Sequence, residues 1–313
     1  MKVLFTYDYG TEKMQRVSDL GYNLIYKYEG TISNSPDIED AQILVCYNPF
    51  SKIDISKFYD LKWIQLSSIG IDQVPKDIVL KRGITVTNNK SGYSIPIGEW
   101  IVLKTLELFK KSKEFYKKQD NKIYKLDTSL LELYNKTILF IGTGSIAVEA
   151  AKRFSGFGVN ILGINTTGKN AEYFNECYPL EKLNNVLNRA DVVVLSIPST
   201  DKTYHLINKE RLKLFKSSSF LINISRGSII KECDLIDALK EGIIAGAALD
   251  VFENEPLPPD SHLWELENVI ITPHNSWISE MRNERRFNII YDNLKRYING
   301  EPLKNVVDII KGY

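Results

Sequence analysis

The chain has 313 residues, of which 43% are hydrophobic and 25% are charged, as in globular proteins with room for about two domains. Its 40 basic and 39 acidic residues give a net charge of +1, so electrostatics favour neither nucleic acid nor an anionic membrane as a partner. No apolar run of 18 residues or signal-peptide pattern is present, and Cys46, Cys177 and Cys233 are widely spaced, which predicts a cytoplasmic protein without a metal site.

The first hundred residues alternate short apolar runs with helical stretches, which is typical of βαβ units and a parallel sheet. The predicted strands are Val3–Tyr7, Ala41–Cys46, Trp63–Leu66 and Thr85–Asn88. Helical periodicity then predicts one long helix over Ile97–Phe115, followed by a polar stretch, Lys117–Ser129.

The segment from Lys136 to Phe154 has the pattern of a strand, a glycine turn and a helix. The apolar run Ile138–Ile141 enters the turn Gly142-Thr-Gly144, and helix-forming residues with a small Ala147 follow. Glycine allows a sharp turn and a close approach of a ligand, and the first amides of the helix can bind a pyrophosphate. This unit therefore predicts a dinucleotide site.

The type of dinucleotide depends on the end of the next predicted strand, Asn160–Ile164. An acid at this point binds the ribose hydroxyls and repels a 2′-phosphate. Here the neutral Asn165 replaces the acid, and Thr166, Thr167 and Lys169 can donate hydrogen bonds to a phosphate. NADP is therefore favoured over NAD. In the alternative, Asn165 still binds a ribose and the lysine is only solvated.

Four more strands complete a predicted doubly wound sheet. They are Asp191–Ile197, Ser219–Ile224, Ile244–Leu249 and Val269–Thr272. Polar residues follow three of them: Arg226 after one, Asp250 and Glu255 after the next, and His274 after the last. Because ligands bind at the carboxyl edge of such sheets, we expect these four side chains to converge on one cleft.

A final predicted helix, Glu280–Asn299, returns the chain to its first part. The fold class is therefore α/β, with two domains that each contain a doubly wound parallel sheet. The predicted substrate (catalytic) domain comprises residues 1–98 and 284–313. The dinucleotide-binding domain, residues 99–283, is inserted into it.

In this order, the segments resemble the D-isomer-specific 2-hydroxyacid dehydrogenases over nearly the whole chain. The resemblance includes Trp63–Asp72, the glycine turn, Ser196–Thr200, the arginine before Gly227, the Asp-x4-Glu-Pro segment and the Pro-His segment. It implies a Rossmann dinucleotide-binding domain inserted into a flavodoxin-like substrate domain.

The resemblance also implies roles for the polar residues. Arg226 would hold the carboxylate and the carbonyl of a 2-keto acid, because guanidinium suits a planar, two-oxygen grip. His274 would protonate the carbonyl oxygen as hydride arrives, and Glu255 would hydrogen-bond and orient that imidazole. The amides of Ile69 and Gly70 would hold the substrate carboxylate.

Other positions of the motif would bind the cofactor. Asp250 would lie near the nicotinamide carboxamide. The remaining positions that would line the cofactor are Gly142, Gly144, Ser145, Ile146, Pro198, Ile224, Ser225, Arg226 and His274. The other two histidines, His205 and His262, are expected to lie at the surface or to have their hydrogen bonds satisfied within the protein, without a catalytic role.

The predicted function is transfer of a hydride between NAD(P) and a small 2-keto acid or D-2-hydroxy acid, as in glyoxylate/hydroxypyruvate reductases. One alternative is a short-type 3-phosphoglycerate dehydrogenase, which needs an extra cation that no sequence cluster indicates. Another is a non-enzymatic, dinucleotide-sensing, corepressor-like binder on the same fold. The resemblance further implies a homodimer joined through the cofactor domains, with the helix Ile97–Phe115 and the arm after it at the interface.

Overall fold

The computed structural model describes residues 1–312, which form two compact units. The first unit contains Met1–Tyr93 and the chain from Ser279 onward, and the second contains Ser94–Ile278. Each boundary lies five residues before the one predicted from the sequence. The first unit is therefore discontinuous in the chain, and the second is formed by one uninterrupted segment.

The first unit contains a five-stranded parallel sheet. Its strands are β1 (Lys2–Phe5), β2 (Asn23–Tyr26), β3 (Ile43–Cys46), β4 (Trp63–Leu66) and β5 (Thr85–Thr87). Their order, β2-β1-β3-β4-β5, confirms the flavodoxin-like arrangement. Strand β2, at the sheet edge, was absent from the sequence prediction. It pairs with β1 in parallel register, with Lys2 opposite Asn23.

The second unit contains a seven-stranded parallel sheet. Its strands are β6 (Thr137–Ile141), β7 (Asn160–Asn165), β8 (Glu176–Pro179), β9 (Val192–Leu195), β10 (Phe220–Asn223), β11 (Gly246–Leu249) and β12 (Val269–Ile271). The order β12-β11-β10-β9-β6-β7-β8 is that of a Rossmann sheet with one additional edge strand. The direction of winding reverses between β6 and β9, where ligands bind in such folds.

Ten α-helices connect the strands of the described residues. In chain order they are α1 (Thr11–Asp19), α2 (Pro36–Glu39), α3 (Lys76–Arg82), α4 (Ser94–Phe109), α5 (Ser112–Asp120), α6 (Ser145–Phe154), α7 (Leu183–Val186), α8 (Lys209–Leu212), α9 (Glu232–Lys240) and α10 (Arg282–Ile298). None of the helices formed by residues 1–312 is long and apolar enough to cross a membrane.

The prediction of one helix over Ile97–Phe115 is wrong, because the chain breaks between α4 and α5. Lys111 adopts a left-handed conformation with φ of 51°, and α5 starts immediately after it. Helix α4 buries one apolar face, which ends at Phe109, whereas α5 buries no residue. No proline or glycine marks this change of direction. It coincides with the point at which the chain no longer packs against a core.

The core of the first unit depends on α10, from the far end of the chain. Phe287, Ile290 and Leu294 of this helix are fully buried in one cluster with Phe5 of β1 and Trp63 of β4. This packing confirms the predicted C-terminal helix and fixes its position against the five-stranded sheet.

Candidate active site

The turn after β6 has the geometry that a dinucleotide requires. Gly142 has φ of 98°, and a side chain here would collide with the carbonyl oxygen of Ser196 at the end of β9. Gly144 caps α6 without any side-chain hydrogen bond, and the space beyond its Cα is open. The open space at Gly144 thus lies at the N-terminus of a ten-residue helix, where the first amides can bind the diphosphate of NAD(P).

The loop after β7 is organised by Asn165. Its amide oxygen accepts the backbone N–H groups of Thr167 and Gly168 at 3.0 and 2.7 Å. Its NH2 group donates to the Thr143 hydroxyl at 3.1 Å and to the Lys169 carbonyl at 2.9 Å. The side chain therefore shapes the loop, and the exposed Thr166, Thr167 and Lys169 present their polar groups to solvent.

The predicted cofactor-lining residues lie at the carboxyl ends of the central strands. Ser225, buried after β10, donates its hydroxyl to the Leu195 carbonyl at 2.7 Å and accepts the Ile197 N–H at 3.1 Å. Ser145, which begins α6, accepts a hydrogen bond from the Ser94 hydroxyl at 2.9 Å. The remaining members of this set are Ile146, in the first turn of α6, and Pro198 and Ile224, which follow β9 and β10.

Arg226 lies in the turn after β10, which packs closely against the turn after β11. Its carbonyl accepts from the Asn223 amide at 3.0 Å, and its guanidinium donates to the Ser225 carbonyl at 2.8 Å. A side chain at Gly227 would collide with the backbone of Phe252 in the turn after β11. The glycine therefore allows the arginine turn to pack against the segment that leads to Glu255.

Glu255 and His274 form a hydrogen-bonded pair. Nδ1 of His274 lies 2.7 Å from Oε2 of Glu255, and the other carboxylate oxygen accepts the Phe252 N–H at 3.0 Å. The side chains of this pair are 42% and 36% exposed, so the imidazole is reachable from solvent. Among the described residues Nε2 has no hydrogen-bond partner, which leaves it available to a ligand.

The charge state of Glu255 follows from its surroundings. Partial burial opposes ionisation, but the hydrogen bonds from His274 and Phe252 and the positive charge of Arg226 together hold the pKa of this carboxyl below its ordinary value. The three predicted catalytic side chains follow β10, β11 and β12, which are neighbours in the seven-stranded sheet, and they therefore lie in one region of the second unit.

Asp250 is fully buried beneath the histidine loop. One of its oxygens accepts the Thr272 hydroxyl at 2.6 Å and the Asn275 N–H at 3.0 Å, and the other accepts the Ser276 N–H at 3.0 Å. Its own carbonyl accepts the N–H of His274, whose φ is 49°. Asp250 therefore anchors the loop on both sides of the histidine, a function that the sequence analysis missed.

The first unit presents two unpaired amides after β4. The Ile69 carbonyl accepts from the Asn88 amide and the Gly70 carbonyl accepts from the Ser68 hydroxyl, both at 2.8 Å. Within the part of the chain that the structure describes, no acceptor bonds to the N–H groups of Ile69 and Gly70. These amides can therefore bind an anion. No group of metal-ligating side chains was found in residues 1–312.

Comparison with known proteins identifies this architecture. Residues 102–276 match the family model of the D-isomer specific 2-hydroxyacid dehydrogenase, NAD binding domain. A glyoxylate reductase of Korarchaeum cryptofilum is 32% identical over 86% of this chain and 82% of its own length. A D-3-phosphoglycerate dehydrogenase of Methanocaldococcus jannaschii is 34% identical over 87% of this chain, which spans 52% of that protein.

The solved structures agree with this assignment. A D-isomer specific 2-hydroxyacid dehydrogenase from Xanthobacter autotrophicus, in complex with NADPH and MES, superposes with a TM-score of 0.83 at 26% identity. The match covers 100% of this chain and 99% of that one. The chain therefore belongs to the D-isomer-specific 2-hydroxyacid dehydrogenase family and is an NAD(P)-dependent oxidoreductase.

Proposed function

We propose that this enzyme reduces a small 2-keto acid of the glyoxylate or hydroxypyruvate kind to the D-2-hydroxy acid, with NADPH as the preferred cofactor. The observation that carries the proposal is the grouping of Arg226, Glu255 and His274 at the carboxyl ends of β10, β11 and β12. The name of the Korarchaeum relative supports the substrate class. The residue roles and the assignment of the units as substrate and dinucleotide domains are part of the same proposal.

When bound, the nicotinamide supplies the hydride that reduces the keto carbon. The Arg226 guanidinium binds the carboxylate and the keto oxygen, which polarises the carbonyl group. Nε2 of His274 donates a proton to the same oxygen, and in the oxidation direction it removes that proton. Glu255 accepts a hydrogen bond from Nδ1, which keeps the proton-donating nitrogen directed away from the carboxylate. The amides of Ile69 and Gly70 bind the substrate carboxylate.

The preference for NADP rests on the loop after β7. Asn165 leaves this loop without a carboxylate at the ribose position, while Lys169 and Thr166 are exposed beside it. A negative charge at this position would repel a 2′-phosphate. The NADPH complex of the Xanthobacter relative supports the same cofactor.

Two further proposals concern assembly and location. The segment 121–135 exposes Tyr124 completely and leaves Leu126 85% exposed. Large apolar side chains in this state favour burial against a partner, which supports a homodimer formed through this arm. The three cysteines are unpaired thiols, as in proteins of the cytoplasm.

A second candidate function is a short-type 3-phosphoglycerate dehydrogenase, which the similarity to the Methanocaldococcus protein favours.

A steady-state screen tests both candidates. Glyoxylate, hydroxypyruvate, pyruvate and 3-phosphohydroxypyruvate are each assayed with NADPH and with NADH. We expect turnover of the short keto acids and a higher kcat/KM with NADPH. If no keto acid is turned over although NADPH binds, the corepressor-like alternative is favoured.

The Asn165→Asp variant tests the cofactor preference separately. We expect a decrease of about tenfold or more in the ratio of kcat/KM for NADPH to that for NADH, because the new carboxylate repels the 2′-phosphate. Asn170→Asp, an acid placed further along the same loop, is the charge-matched control. An unchanged cofactor ratio in Asn165→Asp would contradict the NADP proposal.

A further inference from the structure

A buried arginine of the first unit has no anionic partner. Arg286 lies on α10 and is only 8% exposed. Within residues 1–312, no carboxylate lies within 4.0 Å of its nitrogens. The carboxylate of Glu29, which lies in the same region, does not pair with Arg286. It accepts hydrogen bonds from the Thr6 hydroxyl and from the N–H groups of Tyr47 and Asn48. Guanidinium remains charged in proteins, and a buried charge normally has a counterion.

The groups around Arg286 do not replace a counterion. Its guanidinium carbon lies 5.3 Å from the ring centre of Tyr7 and 5.8 Å from that of Tyr9, distances at which aromatic faces attract a cation. One N–H group donates to the Asn283 amide oxygen at 3.4 Å, a long and neutral contact. Its Nε–H donor is buried without any acceptor.

Two more unpartnered hydroxyls are buried in the same region. No hydrogen-bond partner lies within 3.5 Å of the Tyr9 hydroxyl or the Ser67 hydroxyl, and the guanidinium of Arg286 is the group that approaches the Tyr9 hydroxyl. Asn89 connects the Ser67 loop with Arg286, because its N–H donates to the Ser68 carbonyl at 2.8 Å and its side-chain amide donates to the Arg286 carbonyl at 3.2 Å. Burial raises the pKa of Tyr9 to about 12 although Arg286 opposes the rise, so this phenol remains a neutral donor near pH 7.

The location of these groups points to a ligand. Tyr9 follows β1 and Ser67 follows β4, so both lie at the carboxyl edge of the five-stranded sheet, near its switch point between β1 and β3. Ser67 also directly precedes the loop with the unpaired amides of Ile69 and Gly70. Three orphaned donors, one of them cationic, therefore lie beside the loop proposed to bind the substrate carboxylate.

We propose that Arg286, together with the hydroxyls of Tyr9 and Ser67, binds a second anionic group of the substrate, either a carboxylate or a phosphate. This inference rests on the proposed function and narrows its substrate class. Glyoxylate and hydroxypyruvate have no second anion. They would be turned over with this subsite empty, whereas 2-keto acids with an anionic group at the far end, of the dicarboxylic or phosphorylated type, would also occupy it and have the higher kcat/KM.

Matched substrate pairs test the inference. 2-Oxoglutarate is compared with 2-oxopentanoate, and 3-phosphohydroxypyruvate with hydroxypyruvate, so the two pairs distinguish a carboxylate from a phosphate. We expect the wild type to prefer the anionic member of at least one pair. In Arg286→Met, kcat/KM for that member should fall about 10- to 100-fold, the usual effect of losing a charge-assisted hydrogen bond. The value for its neutral partner should remain within about twofold.

Two variants serve as controls. Arg296→Met removes the same charge from the other end of α10, where Arg296 pairs with Asp292 at 3.1 Å, and should leave the preference unchanged. Tyr9→Phe removes only the orphaned hydroxyl and should lower kcat/KM for the anionic member of the pair severalfold. This variant keeps the test valid if Arg286→Met does not fold. An Arg286→Met enzyme that melts earlier but keeps the wild-type preference would overturn the inference.

A binding measurement separates this inference from the proposed function. The thermal midpoint of the wild type is recorded with glutarate and with inorganic phosphate, and compared with Tyr9→Phe and Arg286→Met. If neutral keto acids are turned over but neither anion binds and no anionic substrate is preferred, the subsite is refuted while the function stands. If no keto acid is turned over but an Arg286-dependent stabilisation by glutarate or phosphate is observed, the function fails and the anion site stands.

Discussion

Two histidine–glutamate pairs of the second unit have their glutamates in the same turn after β11, and only one of the pairs is proposed to act in catalysis. His274 pairs with Glu255 at 2.7 Å, and His205 pairs with Glu253 at 2.5 Å. The second pair is somewhat less exposed, with side chains at 27% and 29%. A hydrogen-bonded imidazole and carboxylate therefore do not by themselves identify a catalytic group.

The surroundings of the two pairs differ in charge. Arg226 contributes to the lowered pKa of Glu255, so the His274 pair has a positively charged neighbour. The Glu253 N–H donates to Glu232 at 3.2 Å, and burial together with the charge of Glu253 raises the pKa of that second carboxyl. The first pair therefore has an arginine among its neighbours, and the second has another carboxylate.

The largest effect is expected from His274→Gln, which removes the proposed proton donor. We expect kcat to fall about 10²- to 10⁴-fold, the usual contribution of general acid–base catalysis. Binding of NADPH, followed by fluorescence titration, should remain close to the wild type. An equal loss of cofactor affinity would contradict the assigned role.

Glu255→Gln should have the next largest effect, about 10- to 100-fold on kcat, because an amide orients the imidazole without stabilising its protonated form. The wild-type carboxyl has a pKa below its ordinary 4.5, so its ionised form stabilises the folded state above that pH. This contribution is lost as pH falls through the folded-state pKa. The difference in thermal midpoint between wild type and variant should therefore shrink below about pH 4.5, and a difference that grows would refute this account.

Asp250→Asn tests the buried anchor of the histidine loop. Asparagine keeps one acceptor oxygen but places an NH2 group against the N–H of either Asn275 or Ser276, so the free energy of unfolding should fall by about 1–3 kcal/mol. We expect kcat to drop about tenfold as the loop loosens. Denaturant unfolding and steady-state kinetics measure both effects. The exposed Asp237→Asn is the matched control, and equal behaviour of the two variants would rule out an anchoring role.

The smallest effect is expected from His205→Asn. Its partner Glu253 faces another carboxylate, and its ring stacks on Tyr204 with centroids 3.9 Å apart, so we expect it to fix a loop only. The value of kcat should stay within about twofold and the thermal midpoint should fall slightly. A loss of activity near that of His274→Gln would remove the distinction between the pairs.

Most of the fold could be predicted because the strands of both sheets are short apolar runs, as expected for parallel strands buried on both faces. The two strands that the sequence analysis missed, β2 and β8, lie at sheet edges, and no residue of either is fully buried. Their extended conformation depends on pairing with β1 and β7. The break at Lys111 was also hidden, because nothing in the local sequence marks it.

The site was predictable only in part. Arg226, Glu255 and His274 stand out as polar residues that follow strands, and the structure brings them into one region. The anchoring bonds of Asp250 were hidden, since its partners are mainly backbone amides of another turn. Arg286 was hidden too, because in the sequence it is one of several charged residues on a helix and only tertiary packing buries it.

The divided first unit has a consequence for the order of synthesis. Strands β1 to β5 leave the ribosome early, but the helix that covers Phe5 and Trp63 is made almost 200 residues later. The uninterrupted second unit is complete before this helix is synthesised. The second unit can therefore fold while the first sheet still lacks the helix that packs against it. During translation the early strands must therefore be shielded from aggregation until Phe287, Ile290 and Leu294 emerge.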